Sequence, residues 1–395
     1  MANHGNISAL IENLSELQKD LKVEDILTQA LSEPMPTEER LRQIEQALET
    51  FKSLGLFNGQ DKRDLHLLLT LGRTYERLSH LEKAFETYTA ALSLAERHRD
   101  DASKAELLSQ MGRVLTRWQR WEEAVEYLNR SALVYESLGD ALGQALTIVR
   151  RGTVFVEQGK YEEARKVYEQ ALELGERTND RKTIVRVKNN LAILATIQGN
   201  MGEAIAQYEA CLVMYAELGD ERGIAGAYYN LGMAHCDQEN WTSAMDMYEK
   251  GFEVANRNGH LDIMANVHLS MAEVMLEMGN SVMVPMCCAR ALDIYRQTGD
   301  RLGEADAYRL LGRTFSLRKD WDTAGQLFKD SLTLNETHSN PLGAAEAQRD
   351  WGKMLLNRGF KRDAQKMLGD AKSGFEKLGA QGDVKKVEDL LAECE

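Results

Sequence analysis

Hydrophobic and polar positions follow a pattern in this chain that returns every forty residues. The stretch YEEARKVYEQALELGERTND (161–180) is similar to WEEAVEYLNRSALVYESLGD (121–140) before it and to MGEAIAQYEACLVMYAELGD (201–220) after it. Counted from Asp61, eight consecutive windows of this length reach Ala380. A fixed period of this length predicts an array of similar structural units that share one continuous core.

Each window predicts two amphipathic helices. Positions 8, 11, 12 and 15 fall on one face of a first helix, and positions 21, 24, 28, 31 and 32 fall on one face of a second. Because position 12 is always small, we expect the two helices to approach closely there, with the large side chain of position 28 filling the space beside them. Position 12 is occupied by Gly72, Gly112, Gly152, Ala192, Gly232, Ala272, Gly312 and Gly352. Position 28 is occupied by Tyr88, Leu128, Tyr168, Tyr208, Tyr248, Cys288, Phe328 and Leu368.

Short polar turns separate the helices. Turns such as EQGK (157–160) and IQGN (197–200) carry a glycine, which favours the left-handed conformation that ends a helix. Most windows end in Gly-Asp, Asn-Asp or Arg-Asp, and we expect the aspartate to cap the next helix. Each unit is therefore predicted to be a helix–turn–helix hairpin that must stack on its neighbours to bury both faces.

The combination LG-x-x-Y or LG-x-x-F, followed by A-x-x-x-Y and A-L, resembles the tetratricopeptide repeat. The forty-residue spacing resembles the subclass found in Pins/LGN-type adaptors, kinesin light chains and Rap-type regulators. The resemblance covers residues 61–380 and implies an all-α, right-handed superhelical solenoid of stacked antiparallel helix hairpins. It also implies that the first helices line the inner wall and the second helices the outer wall.

The chain outside the eight windows is predicted to close the array at both ends. Residues 1–60 are interpreted as an irregular N-terminal cap with helices at about 7–21, 23–31 and 37–54. Residues 381–395 are predicted to form a C-terminal capping helix. Its apolar face consists of Val384, Val387, Leu390 and Leu391.

The window 261–300 departs from the pattern, because it carries Ser281, Val284, Pro285 and Cys288 in its second helix. Proline inside a helix removes a hydrogen bond and bends the axis. We therefore expect a local kink or looser packing in this window.

Composition narrows the functional classes. A net charge of −14 over 395 residues argues against nucleic acid as the main ligand, because phosphate binding needs a basic surface. No apolar run is long enough to span a bilayer, and no secretory signal is recognised. Five irregularly spaced cysteines suit a reducing compartment. These features predict a cytoplasmic protein that binds neither nucleic acid nor membranes.

Motifs for catalysis are weak. The S-x-x-K match at residues 316–319 lacks its companion motifs. The pairs Cys287–Cys288 and His235–Cys236 are expected to pack rather than to bind metal, because adjacent helical residues diverge by about 100°. With no convergent set of titratable groups visible, we predict a non-enzymatic protein without cofactor or metal.

The family geometry implies that positions 6, 9, 10, 13 and 16–17 of each window face a groove. The residues predicted to form a peptide-binding groove are Arg73, Arg113, Val149, Arg150, Asn189, Asn190, Ile193, Tyr229, Asn230, Met233, Leu269, Arg309, Arg313, Arg349 and Lys353. Asn190 and Asn230 match the position at which peptide-binding repeats bond a ligand backbone, and an amide can donate and accept at once. The Lys and Asn pair of the carboxylate clamp is absent from positions 9 and 13. The predicted wall is basic near both ends and carries apolar and amide side chains in the middle.

These features favour a protein-interaction scaffold whose groove holds an extended or helical, partly acidic segment of another protein. Apolar anchors near Val149, Ile193, Tyr229, Met233 and Leu269 would supply most of the affinity, and the arginines would select acidic partners. The alternative for the arginines is that they pack along neighbouring helices. Two alternatives for the protein also remain open. It is either an architectural subunit of a larger assembly or homo-oligomer, using its convex face or N-terminal helix, or, as the Rap-type resemblance implies, a regulatory sensor that changes superhelical pitch on binding a short peptide.

Overall fold

The structure is a computed structural model that describes residues 62–77, 80–338 and 340–394, together with positions 42, 45, 46 and 49. The predicted helices at 7–21 and 23–31 lie outside the described residues. Of the predicted helix at 37–54, only the four isolated positions are described, and all four are helical. The N-terminal cap therefore stays a prediction.

The regular structure of the described residues is entirely α-helical, which confirms the predicted fold class. The chain divides into two compact units, Met1–Gly219 and Asp220–Glu395. The described helices of unit 1 are α1 (Lys62–Arg77), α2 (Leu81–Arg97), α3 (Asp101–Arg117), α4 (Trp121–Leu138), α5 (Ala141–Glu157), α6 (Tyr161–Arg177), α7 (Arg181–Ile197) and α8 (Met201–Leu218). Those of unit 2 are α9 (Glu221–Asp237), α10 (Trp241–Asn258), α11 (Leu261–Glu277), α12 (Val284–Thr298), α13 (Arg301–Leu317), α14 (Trp321–Thr337), α15 (Pro341–Arg358), α16 (Lys361–Leu378) and α17 (Gln381–Ala392).

Consecutive helices pack in pairs, one hairpin for each forty-residue window, and each hairpin stacks on the next within its unit. The first helices of adjacent hairpins also contact one another, as α3 does with α5 and α13 does with α15. The second helices of adjacent hairpins contact each other less. Because the first helices lie closer together, their outward face is the concave side of each unit. The predicted groove positions belong to these first helices.

The predicted close approach at position 12 is confirmed. A Cβ added to Gly152 on α5 would lie 2.3 Å from Cε1 of Tyr168 on α6. A Cβ added to Gly232 on α9 would lie 2.4 Å from Cε1 of Tyr248 on α10. Both rings are almost completely buried. In these two hairpins the ring of position 28 thus lies directly against the backbone of position 12 and leaves no room for a methyl group.

Both turns of the repeat use the left-handed backbone conformation. Gly159 and Gly199 have φ angles of 70° and 79°, as predicted. At the same position of other windows, Gln119, Glu239 and Lys319 adopt φ angles of 58°, 58° and 61°. The packing of the hairpin therefore imposes this turn even on residues for which it is unfavourable.

Aspartates at the window ends cap the following first helices, as predicted. The Asp140 carboxylate accepts a hydrogen bond from the Gly143 backbone N–H at 2.9 Å. The Asp300 carboxylate accepts one from Gly303 at 3.0 Å. His260, which precedes α11, makes no side-chain cap. The junction between hairpins is thus fixed by the same kind of contact in most windows.

The prediction of a kink or looser packing in the window 261–300 is wrong. Helix α12 begins at Val284, so that Pro285 lies in its first turn, where the missing N–H removes no internal hydrogen bond. Val284 and Cys288 are completely buried, like their counterparts in other windows. The irregular sequence shortens the start of the helix and leaves the core packing intact.

Helix α17 packs its apolar face against the last hairpin. Val387 is completely buried and Val384 nearly so, in a cluster that includes Leu368 and Phe375. Leu390 and Leu391 are partly buried against the same cluster. The amphipathic pattern of this segment is therefore used as its sequence indicates.

Candidate functional site

The concave side of unit 2 contains a cavity of 1180 Å³. It is lined mainly by the first helices α9, α11, α13 and α15 and by α17. The predicted groove residues that line it are Tyr229, Met233, Leu269, Arg309, Arg313, Arg349 and Lys353. The fold thus brings together, around one cavity, side chains that are widely separated in the sequence.

Apolar groups form one part of the cavity wall. Tyr229 and Leu269 are half-buried, and Met233 is 43% exposed. The Tyr229 ring packs on the buried Tyr248 ring with centroids 5.9 Å apart, and its hydroxyl shares a hydrogen bond with Ser270. Burial raises the pKa of Tyr229, so its hydroxyl is neutral near neutral pH. This part of the wall exposes apolar surface, and the Tyr229 ring is held in place by its contacts with Tyr248 and Ser270.

Arg309 is the most deeply buried cation of the cavity. It is 7% exposed, and its guanidinium donates a hydrogen bond to the Asp350 carboxylate at 3.1 Å. A Glu346 oxygen lies 3.4 Å from the same guanidinium. The carboxylates compensate the desolvation of the guanidinium, and the pKa of Arg309 is raised. The positive charge of Arg309 is therefore neutralised within the chain.

The other two arginines of the cavity are also paired internally. Arg313 donates to Glu277 at 2.6 Å. Arg349 donates to Asp350 at 3.0 Å and to Asp383 at 3.2 Å. The interpretation that these arginines select acidic partners is therefore wrong for unit 2. The alternative, that they pack along neighbouring helices, describes them correctly.

Sequence reasoning missed the carboxylates of this cavity. Asp306 and Glu346 occupy position 6 of their windows, and Asp350 occupies position 10. Both positions were expected to face the groove, so the signal was present in the sequence. These carboxylates occupy windows that also carry the predicted arginines, and the sequence alone does not show which acidic side chain pairs with which arginine.

The concave side of unit 1 carries three of the predicted arginines. Arg73 pairs with Glu106, and Arg113 donates to the buried Glu76 at 2.6 Å. Arg150 differs because its guanidinium donates to the Ser109 hydroxyl, a neutral group. Burial lowers the pKa of Arg150, and the nearby charges of Arg113 and Arg186 act in the same direction.

The predicted uncharged groove residues of unit 1 divide into core and surface. Val149 is 5% exposed and packs with Tyr168 and Leu194, so its assignment as a ligand anchor is wrong. Position 9 turns toward the neighbouring helices at this point of the array. Asn190 and Ile193 on α7 are half-buried and border the concave side.

The remaining two asparagines already have interactions inside the chain. Asn189 on α7 and Asn230 on α9 are half-buried, and each interacts with other residues. Asn230 belongs to unit 2 but is not among the side chains that line its cavity. The structure thus does not place Asn230 beside Tyr229 and Met233 on the cavity wall.

The cysteines of the pairs Cys287–Cys288 and His235–Cys236 take part in packing. Cys287 and Cys288 are buried free thiols, and burial raises the pKa of Cys288 to about 12. The Cys236 sulfur lies 3.4 Å from the Tyr248 hydroxyl in the core of its hairpin.

Within the described ranges, no group of three or more His, Cys, Asp or Glu side chains is arranged to hold a metal ion. None of the helices in the described part of the chain is long and apolar enough to cross a membrane.

A family model described as "Tetratricopeptide repeat" matches residues 103–177, 183–257 and 263–337. A second model with the same description matches residues 65–98. Together these matches cover more than half of the chain, and they fall on the hairpins described above.

Several solved structures share this fold. A "Rap Protein Complexed with Competence and Sporulation Factor" aligns over 84% of this chain and 92% of its own, with a TM-score of 0.57 and 16% identity. "Aspartyl phosphate phosphatase F from Bacillus subtilis" aligns over 95% and 96%, with a TM-score of 0.57 and 12% identity. The apo quorum sensor NprR from B. thuringiensis aligns over 98% and 99%, with a TM-score of 0.55 and 13% identity. No curated protein matches the sequence. At these identities the likeness concerns the fold alone.

Proposed function

The chain belongs to the tetratricopeptide repeat family, and on that premise we propose that it is a non-enzymatic scaffold whose concave surfaces hold an extended segment of a partner protein. The observation that carries the proposal is the cavity of unit 2, where accessible apolar side chains lie beside hydrogen-bonding groups. Ligand sites in proteins combine these two features.

Apolar contacts in unit 2 supply most of the affinity in this proposal. Fully burying a Met- or Leu-sized side chain contributes about 1.5–3 kcal/mol, whereas an exposed ion pair contributes about 0.2–1 kcal/mol. Met233, at 43% exposure, has substantial surface left to bury. A ligand side chain that covers Met233 and the edge of Tyr229 would therefore act as an anchor.

On the concave side of unit 1, taken by itself, polar and charged groups would orient and select a partner segment. The Asn190 amide can donate to and accept from a peptide backbone, and Ile193 lies one helical turn further along the same helix. The Arg150 guanidinium, which donates to a neutral hydroxyl, suits an acidic side chain of the partner. The proposed preference for acidic residues is thus confined to unit 1.

Structures of the same fold agree with a binding role. One of them was solved as a Rap protein in complex with Competence and Sporulation Factor. That ligand is a property of that protein. For this chain the likeness supports the suitability of the fold for holding a ligand.

A random heptapeptide phage library selected on the immobilised full-length chain tests the proposal. Synthetic copies of the selected peptides are then measured by fluorescence anisotropy. Met233→Ala should raise Kd about tenfold, because it removes apolar contact worth about 1.4 kcal/mol.

The matched control is Met286→Ala, since Met286 is 40% exposed but lies on α12, a second helix. It should change Kd by less than about twofold. A library that yields no binding peptides, or an equal effect of the two methionine variants, would contradict binding on the concave side.

A further inference from the structure

The cavity of unit 2 carries an excess of negative charge. Nine Asp or Glu residues and five Lys or Arg residues line it. The difference, five minus nine, leaves a net charge of −4 on the lining. The cavity therefore favours a ligand of positive charge.

Ion pairing among the lining residues does not remove this excess. The Arg309, Arg313 and Arg349 guanidinium groups are all paired inside the chain. Their carboxylate partners are Glu273, Glu277, Glu346, Asp350 and Asp383. Each arginine thus lies within ion-pair distance of at least two carboxylates. The positive charge of each arginine is therefore already compensated inside the chain.

Asp306 on α13 stands outside this network. Its residue is partly exposed, its carboxyl is largely withdrawn from water, and it lines the cavity. None of the ion pairs found within 4.0 Å among the described residues includes Asp306. A largely buried carboxylate without an opposite charge in contact is costly, and a ligand cation would relieve that cost.

The surroundings of Asp306 come from several helices. The charged groups that act on it are Arg309 on α13, Asp300 just before α13, Glu273 on α11 and Glu346 on α15. Its own charge acts on the tyrosine hydroxyls of Tyr229 on α9 and Tyr295 on α12. The pKa of Asp306 is raised to about 6, chiefly by burial, with Arg309 lowering it and the two glutamates and Asp300 raising it. Asp306 is therefore ionised, but at a cost, near neutral pH.

We propose that this cavity binds a lysine or arginine side chain of the partner segment, with its positive group against the Asp306 carboxylate and its aliphatic stem against Tyr229. The inference rests on the proposed function, because it names the side-chain chemistry that the concave side of unit 2 recognises. Glu273 and Glu346, which come from the two first helices that contact α13, add negative charge around Asp306. The apolar stem of a lysine or arginine matches the half-buried tyrosine ring that borders the site.

The phage selection described above, repeated with Asp306→Asn, is the first test. Peptides selected by the wild-type chain and dependent on Met233 should be enriched in Arg or Lys, and the Asp306→Asn chain should lose that enrichment. If peptides are selected without such enrichment, the inference fails and the proposed function stands. If none is selected, both fail.

Affinity measurements provide the second test. The probes are one selected peptide, acetylated and amidated at its ends, and its copy with the Arg replaced by the neutral isostere citrulline. The Arg peptide should bind the wild-type chain about tenfold more tightly at pH 7.5, and the two should agree within about twofold on Asp306→Asn. The control Asp370→Asn removes the same charge from an exposed position of α16 and should keep the tenfold preference.

The wild-type chain alone provides a further measurement if Asp306→Asn does not fold. At pH 5 about a tenth of a carboxyl with a pKa near 6 is ionised, so the Arg peptide should bind up to about tenfold more weakly than at pH 7.5. The citrulline peptide should not show this loss, because it differs only in its charge. Equal pH dependence of the two peptides would overturn the proposal.

Discussion

The contact between a small residue at position 12 and a ring at position 28 makes a sharp prediction about two glycines of the same helix. In α9, a Cβ added to Gly232 would lie 2.4 Å from Cε1 and 2.5 Å from Cδ1 of Tyr248. A Cβ added to Gly226 would meet nothing within 4 Å. The substitutions Gly232→Ala and Gly226→Ala are chemically identical and should have opposite effects.

The magnitudes follow from two competing terms. Replacing glycine by alanine in a helix interior stabilises by about 1 kcal/mol. At Gly232 the methyl group would lie more than an ångström inside ordinary contact with a buried ring, and overpacking of this kind costs about 3 kcal/mol. We therefore expect Gly226→Ala to gain about 1 kcal/mol and Gly232→Ala to lose about 2 kcal/mol of stability, a difference of about 3 kcal/mol.

Hydrogen–deuterium exchange of the full chain measures this difference where it arises. Amides of α9 and α10 should open more easily in Gly232→Ala and less easily in Gly226→Ala. Adding Tyr248→Cys reproduces the pairing of Ala272 with Cys288 found elsewhere in the chain. In that background the extra methyl at position 232 should no longer destabilise, which gives a coupling energy of about 3 kcal/mol. If both glycine variants change exchange in the same direction, the ring is not what excludes the methyl group.

Three further predictions concern charge and turn geometry. The pKa of Asp306 is raised from 3.8 to about 6, so the folded state binds its proton more tightly and loses stability as the pH rises from about 4 to 6. Asp306→Asn should therefore gain up to about 3 kcal/mol over wild type between pH 4 and pH 7.5 in urea unfolding, and a constant difference would contradict this. Arg309→Met leaves the buried Asp350 without one of its two cations and should lose about 3 kcal/mol at pH 7.5; a neutral effect in the same urea assay would show that the pair is dispensable. Lys319→Gly should raise the unfolding free energy by about 1 kcal/mol, because Lys319 adopts a φ of 61°. Gly359→Ala should lower the unfolding free energy by about 1 kcal/mol, because Gly359 has a φ of 90°. The reverse order of their urea midpoints would refute the argument.

The helices and their pairing could be predicted from the sequence because each depends on local periodicity. The small residue at position 12 and the ring at position 28 lie sixteen residues apart, and the period of the helix fixes which face each occupies. The caps at Asp140 and Asp300 likewise depend only on the residues that follow them. The expected kink at Pro285 was wrong because a helix can begin later at little cost, and sequence patterns locate helix ends poorly.

The charge of the groove could not be predicted in the same way. The bond from Arg309 to Asp350 joins residues in adjacent windows, and which carboxylate an arginine reaches depends on the distance between two first helices. The arginines alone make the wall of the unit 2 cavity look basic. Acidic side chains outnumber basic ones on this wall, so its net charge is negative. Val149 was misplaced for a related reason, because a residue at the border between groove and core is assigned by the stacking of helices and not by their periodicity.

The contact at positions 12 and 28 lies wholly within one hairpin, whereas the aspartate cap lies at the joint between two. Excising a hairpin from one joint to the next would therefore remove a complete packing unit and bring an equivalent aspartate to the start of the following helix. A gene encoding such a chain can gain or lose whole hairpins by duplication or deletion without disrupting the packing inside any hairpin that remains. The length of the proposed binding surface would then evolve in steps of one hairpin, independently of the side chains that each hairpin contributes.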